Sequence, residues 1–200
     1  MTDEAPSPTE HSAATEDSAA ALAAFGYELG VLKRVRRSGW WQAGVRDPES
    51  VAEHSVRAAQ LAALLAAEEG ASPERAAFLA IWHDTQETRT GDLPHSAAPY
   101  LVKPDPRAIT ADQTAALPSG SGTVVREAVA EYEARASVEA RCAKDADKLE
   151  MLLQALEYRA AGVSTVEEWV DSARAGLFTE TARRLAAAAL TLSPLSWRTR

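Results

Sequence analysis

Two helix starts are written into this chain in capping chemistry, and no segment after them alternates apolar and polar residues as a half-buried strand would. Ser50-Val51-Ala52-Glu53 is a capping box: the Ser50 hydroxyl accepts from the Glu53 N–H, and the Glu53 carboxylate reaches back to the Ser50 N–H. Ser72-Pro73-Glu74 supplies an N-cap, a proline at the first helical position and an early acid. The first of these helices draws an inner face from Val51, Val56, Leu61, Leu64 and Leu65 before Gly70 stops it. In the second, Ala77, Leu79, Ala80, Ile81 and Trp82 are apolar nearly all round, which predicts a central, buried helix. An earlier helix over 19–35 is marked by Leu22, Phe25, Leu29 and Leu32, and later ones fall at about 123–135, 138–161, 165–174 and 179–191. Residues 102–122, rich in Pro, Gly, Asp and Ser, read as a long irregular connection. The expected fold class is all-α, a compact helical bundle without internal repeats.

Two hundred residues suffice for one domain with a real core. The net charge of -8 is concentrated at the start: Asp3, Glu4, Glu10, Glu16 and Asp17 fall in the first twenty residues with no Lys or Arg, so the body carries only -3. That opening is also rich in Ser, Thr, Pro and Ala, and we expect residues 1–19 to be a disordered acidic tail ahead of a domain over 20–200. A mildly acidic body disfavours nucleic-acid polymers, which need a broad basic face. It leaves room for a small anionic ligand near the one basic cluster, Lys33, Arg34, Arg36 and Arg37. No apolar run of about 18 residues predicts a membrane span. No signal peptide precedes the body, and Cys142 is the single cysteine, so a reducing, cytoplasmic location is expected.

The chemistry-bearing residues are sparse and ordered. Glu53-His54 falls in the first turns of the helix capped by Ser50, His83-Asp84 closes the helix capped by Ser72, and Asp147 sits inside Lys144-Asp145-Ala146-Asp147-Lys148-Leu149-Glu150. Imidazole nitrogens and carboxylate oxygens in such a set suit Mn, Co, Mg, Fe or Zn. Adjacent helical residues point about 100° apart, so His83 and Asp84 share an ion only at a helix end or by bridging to neighbours. Taken alone, a His-Asp pair is more simply a helix terminus, with histidine suited to the dipole and aspartate starting a turn. Glu87, four residues beyond His83, projects to the same side if the helix continues, where a carboxylate can manage a proton. The body offers too few histidines for a dinuclear centre: His11 lies in the tail and His95 in a loop, which leaves one divalent metal per chain.

Four blocks in order resemble the HD-domain 5′-deoxynucleotidases: Leu32-Lys33-Arg34-Val35-Arg36-Arg37-Ser38-Gly39-Trp40, then Glu49-Ser50-Val51-Ala52-Glu53-His54-Ser55, then His83-Asp84-Thr85-Gln86-Glu87-Thr88-Arg89-Thr90-Gly91-Asp92-Leu93, then the run from Asp145 to Tyr158. The resemblance covers roughly residues 20–160. It implies an HD-type helical bundle, a homodimer, and a metal-dependent phosphohydrolase that removes the 5′-phosphate of (deoxy)nucleoside monophosphates through a metal-activated water. It implies that His54, His83, Asp84 and Asp147 bind the metal and that Glu87 transfers the proton. By the same resemblance Asp92 orients water or contacts the sugar, and Arg37 and Trp40 face the nucleotide by charge and stacking. Some bacterial members carry an arginine directly before the tryptophan; here Gly39 occupies that place, and Arg37 reaches from three residues before Trp40.

Other candidates carry weaker signals. Glu150 is placed either to orient a histidine or in an exposed salt bridge; Asp145 shares its helix, and Lys148 is a phosphate contact or a solvated lysine. Cys142 reads as a small buried hydrophobe, and Trp41, Trp82, Trp169 and Trp197 as core or interface residues. Two alternatives stand beside the leading one: an HD phosphohydrolase for a modified nucleotide or another small phosphate ester, and a non-catalytic HD-fold sensor or interaction module.

Overall fold

The computed structural model describes the backbone of residues 8–102 and 104–199 and the side chains of residues 16–102 and 104–198. Helix α1 (Pro8–Leu29) runs into a 3-10 turn (Gly30–Lys33) and is followed by α2 (Gly39–Gln42), α3 (Val51–Glu68), α4 (Pro73–Trp82), α5 (Glu87–Thr90), α6 (Pro106–Gln113), α7 (Ser119–Ala134), α8 (Val138–Ala160), α9 (Glu167–Ala175) and α10 (Glu180–Thr191). Among the described residues, strand-like pairing is limited to one antiparallel bridge between Arg36 and Ser50. No described helix is long and apolar enough to cross a membrane.

The two capping signals do what the sequence predicts. The Ser50 side chain accepts from the Glu53 N–H, and the Glu53 carboxylate accepts from the Ser50 N–H at 2.6 Å. Ser72 accepts from the Arg75 N–H, with Pro73 in the first turn. Gly70 ends α3 with φ +68°, a left-handed conformation that glycine adopts without Cβ strain.

Helix α8 is the spine. Ala140, Ala143, Ala146, Leu149, Leu152 and Ala155 are fully buried along it, packed against α3, α4, α7, α9 and α10. Helix α3 packs against both α8 and α4 and buries Ala58, Ala62, Leu65 and Ala66. Small side chains on this face let the backbones approach, and the approach lets polar residues on α3 and α8 reach each other. The inner face of α3 therefore differs from the expected one. Val56 and Leu64 are exposed, while His54, Ser55 and the alanines point inward. Ile81 of α4 is likewise exposed at 39%. Hydrophobicity favoured the larger side chains, but close packing selected the small ones.

One boundary also differs. The segment 102–122 contains α6 and the start of α7. Asp105 caps α6 by accepting from the Arg107 N–H, and Pro106 occupies the first helical position, the same device that starts α4. Helix α1 is described from Pro8, and residues 1–7 lie outside the described residues.

Candidate metal centre

His54 leaves α3 near its N-terminus, His83 and Asp84 sit where α4 ends, and Asp147 leaves the middle of α8. Their side chains converge. His83 Nε2 lies 2.9 Å from Asp84 Oδ2 and 3.9 Å from Asp147 Oδ1. His54 Nε2 lies 3.4 Å from Asp147 Oδ1, 3.7 Å from Asp84 Oδ2 and 3.3 Å from His83 Nε2. Adjacent His83 and Asp84 can face one point because regular α-helix stops at Trp82 and the chain tightens into turns, with the Thr85 N–H donating to the Trp82 carbonyl and the Glu87 N–H to that of Asp84.

Both imidazoles are held from behind. The Nδ1 of His83 donates to the Ala80 carbonyl at 2.6 Å. The Nδ1 of His54 is hydrogen-bonded to the Glu150 carboxylate. Each bond assigns the proton to Nδ1 and leaves the Nε2 lone pair facing the two aspartates. Glu150 is fully buried, which excludes the exposed salt bridge. Its other oxygen accepts from Arg57 Nε at 2.9 Å and Nη2 at 2.7 Å, and Arg57 continues to Glu157 and Gln154. Burial works against ionising Glu150, but the bonds to His54 and Arg57 outweigh it and hold the carboxyl below its ordinary range. Sequence reasoning missed Arg57; its signal was the i, i+3 spacing from His54, matched by Asp147 and Glu150 on α8.

The donor set fits a divalent cation. Asp84 Oδ2 is buried with no hydrogen-bond partner although two imidazole nitrogens face it. His54, His83 and Asp84 offer donor atoms within 4.8 Å of one another, and Asp147 lies 3.4 Å from His54, so two partly buried carboxylates flank the imidazoles and favour positive charge between them. In the protein alone that demand falls on His54: burial and Arg37 oppose its protonation, yet Asp147 and Glu150 prevail and raise its pKa to about 9. Burial also opposes ionising Asp84 and Asp147, but His83 in the first case and Lys148 and His54 in the second hold both well down.

The cluster forms one end of a cavity of about 400 Å³ whose walls include Glu87, Tyr132, Lys144, Lys148, Ile109 and Phe178. Glu87 opens the short helix α5, which is clamped between α1 and α6. Glu28 of α1 accepts from Thr88, Arg89 and, from α6, Gln113. Burial, reinforced by Asp84 and Asp92, pushes the Glu87 carboxyl well above its ordinary range. Lys148 Nζ is 3.4 Å from Asp147. Lys144 lies one helical turn before Asp147, and burial lowers its pKa despite its ion pair with Glu133 at 3.1 Å. Asp145, by contrast, is structural: it accepts from the N–H groups of Phe178 and Thr179 and from the Thr179 hydroxyl, fixing the strap that carries Phe178 into the cavity.

Arg37 and Asp92 both lie beside the cluster. Arg37 turns inward, 3.7 Å from Asp84 and 3.6 Å from Asp92, and these carboxylates raise its pKa against the effect of burial. It therefore neutralises the aspartates directly. Asp92 follows Gly91, whose φ of +69° turns the chain out of α5. Its carboxylate accepts from the Ser38 N–H and hydroxyl, which ties the Arg37 loop to the site.

Trp40 is packed in the core. It is 2% exposed, packed edge-on to Tyr158 at 5.2 Å and tilted against Trp169 at 5.7 Å, with its indole N–H donating to Glu49. It has no free face for a base, so the expected stacking role is corrected to a core role. Gly39 has a matching reason: a Cβ there would meet the Trp169 indole nitrogen at 3.2 Å. His95 begins a 3-10 turn and is exposed, and Cys142 is fully buried.

The HD domain family matches residues 29–188, a span that holds every residue of the cluster. A 5′-deoxynucleotidase HDDC2 from Xenopus laevis is 37% identical over 134 residues, which are 65% of this chain and 65% of that protein, so the chain spans just under two thirds of that relative's length. Among solved structures, a conserved hypothetical protein from Pyrococcus furiosus is 31% identical with a TM-score of 0.69, covering 85% of this chain and 99% of its own. One named as a predicted metal-dependent phosphohydrolase, from Magnetospirillum magnetotacticum, is 26% identical with a TM-score of 0.63, covering 87% and 94% respectively. With its all-helical bundle, its adjacent His83-Asp84 pair and a match from residue 29 to 188, the chain belongs to the HD domain family.

Proposed function

We propose that this chain is a divalent-metal-dependent phosphohydrolase that removes the 5′-phosphate of (deoxy)nucleoside monophosphates. The observation that carries the reading is that Asp84 and Asp147 each lie within 2.9–3.9 Å of the Nε2 atoms of His54 and His83, with His83, Asp84 and Asp147 lining a cavity that also presents Lys144 and Lys148. The similarity to 5′-deoxynucleotidases supports the substrate class.

His54, His83, Asp84 and Asp147 would hold one ion. Such an ion supplies charge neutralisation at phosphorus and a more acidic water. The chain's own groups do the rest. Glu150 and the Ala80 carbonyl fix the imidazole tautomers. Arg37 balances Asp84 from the protein side. Glu87 sits on the cavity wall with one carboxylate oxygen unpartnered, and its raised pKa suits it to take a proton from the attacking water and return it to the leaving sugar oxygen. Lys148 and Lys144 line the same cavity, and fixed cations there would stabilise the charge spread over the phosphate oxygens. Ile109, Leu93 and Phe178 give the remainder of the cavity an apolar wall for the nucleoside.

The same proposal includes one ion per chain, a cytoplasmic location and a homodimer, the last to be checked by light scattering. The decisive assay is phosphate release from deoxyadenylate with manganese or cobalt, comparing wild type with Asp84→Asn. We expect release by the wild type and its near abolition in the variant. Equal rates would remove Asp84 from the site.

A further inference from the structure

Tyr132 of α7 is 1% exposed, and its hydroxyl has no hydrogen-bond partner among the described residues. Its ring lies against His83, with centroids 5.0 Å apart, and the Lys144 ammonium sits 3.7 Å from the ring centroid. All three side chains line the metal-centre cavity. A phenylalanine would satisfy the packing at this position without burying a polar atom, and a buried hydroxyl lacking a partner is unfavourable by about 1–3 kcal/mol. The fold alone therefore gives no reason for the oxygen.

The surroundings say what the hydroxyl is suited to meet. A phenol keeps its proton near neutral pH, so this hydroxyl is an O–H donor and not a base. A donor on a cavity wall that also carries the Lys144 and Lys148 ammonium groups complements an oxyanion. The lysine also restrains the ring: Lys144 is held at 3.1 Å by Glu133, the residue next to Tyr132, so ring and cation form one unit on the cavity wall.

We propose that Tyr132 is a substrate-contacting residue whose O–H donates to a non-bridging oxygen of the bound phosphoryl group, beside Lys144. This rests on the phosphohydrolase reading above. It adds a neutral donor to the cations, and unlike them it can discriminate oxygen geometry by a directed hydrogen bond.

Tyr132→Phe tests it, because the ring and its contacts are kept. Inorganic phosphate is titrated calorimetrically into the manganese-loaded wild type and the manganese-loaded variant. We expect the variant's Kd to rise about tenfold to a hundredfold, the range for a lost hydrogen bond to a charged group. Its manganese content should match the wild type, and the thermal midpoint without phosphate should stay equal or rise. Equal phosphate affinity overturns the proposal, as does a wild type that does not bind phosphate. A variant that melts several degrees lower without ligand also overturns it, since the hydroxyl would then have a partner within the fold. Weakened phosphate binding in a protein that fails to hydrolyse deoxynucleotides would support the contact and retire the proposed activity.

Discussion

The Nδ1 of His54 on α3 is hydrogen-bonded to the Glu150 carboxylate on α8, and this contact turns Nε2 of His54 toward Asp147 at 3.4 Å. One helix-to-helix hydrogen bond thus sets the tautomer, the ring plane and the separation of two candidate ligands. Glu150 in turn depends on Arg57, which returns from α3 to the same carboxylate.

If this relay orients His54, Glu150→Gln should weaken metal binding without removing a ligand. The amide leaves Arg57 with a neutral partner and no longer favours the Nδ1 proton. We expect manganese affinity to fall about tenfold to a hundredfold, the usual range for groups that orient metal-ligating histidines. Calorimetric titration of metal-stripped protein measures it, and unchanged affinity would show that the relay serves packing alone.

The pH dependence follows from His54, whose pKa in the metal-free protein is raised to about 9 from an ordinary 6.5. A raised pKa means that the charged form stabilises the fold fully below 6.5, and that this contribution is lost as pH rises through 9. The stability difference between metal-stripped wild type and His54→Gln should therefore shrink over that interval, by an amount on the order of 3 kcal/mol. Metal competes with the same proton, so manganese affinity should rise with pH up to about 9, with proton release on uptake. Denaturant titrations and calorimetry in buffers of different ionisation enthalpy check both; an affinity flat from pH 6.5 to 9 contradicts the assignment.

Glu87→Gln keeps the shape of the cavity wall and removes the proton acceptor. We expect kcat to fall by about 10²–10⁴, the usual contribution of a positioned acid–base group. Metal content should be unchanged, because Glu87 is outside the four-residue set. Metal analysis beside steady-state kinetics separates the two effects; a comparable loss of metal would instead make Glu87 a ligand.

Trp40→Phe distinguishes a core residue from a base-stacking one. The indole N–H bond to Glu49 and part of the contact with Tyr158 and Trp169 would be lost. We expect a stability loss of about 1–3 kcal/mol, with KM for deoxyadenylate within about twofold of wild type. Chemical denaturation and kinetics read out each part, and a large rise in KM at full stability would restore the stacking role.

The helix starts were legible in the sequence because capping is local chemistry: Ser50 with Glu53 and Ser72 with Pro73 each settle a boundary within four residues. The same signature at Asp105-Pro106 was present and was outweighed by the Pro and Gly content around it. The candidate set His54, His83, Asp84, Glu87 and Asp147 was legible because imidazoles and carboxylates in that order are chemically distinctive. Which of their neighbours matter was not, because that depends on side chains far apart in sequence. Arg57 meets Glu150 across 93 positions, and Ser38 meets Asp92 across 54. The same holds for what faces inward. Alanines, not Val56 or Leu64, fill much of the buried face of α3, and small side chains let packed helices approach closely. Trp40 packs into the core and Arg37 lies against Asp84, placements that only the packed chain shows. Composition and spacing determined the helices and the ligand types. Burial and long-range charge, which exist only once the chain has packed, decided which groups bind, which orient and which merely fill.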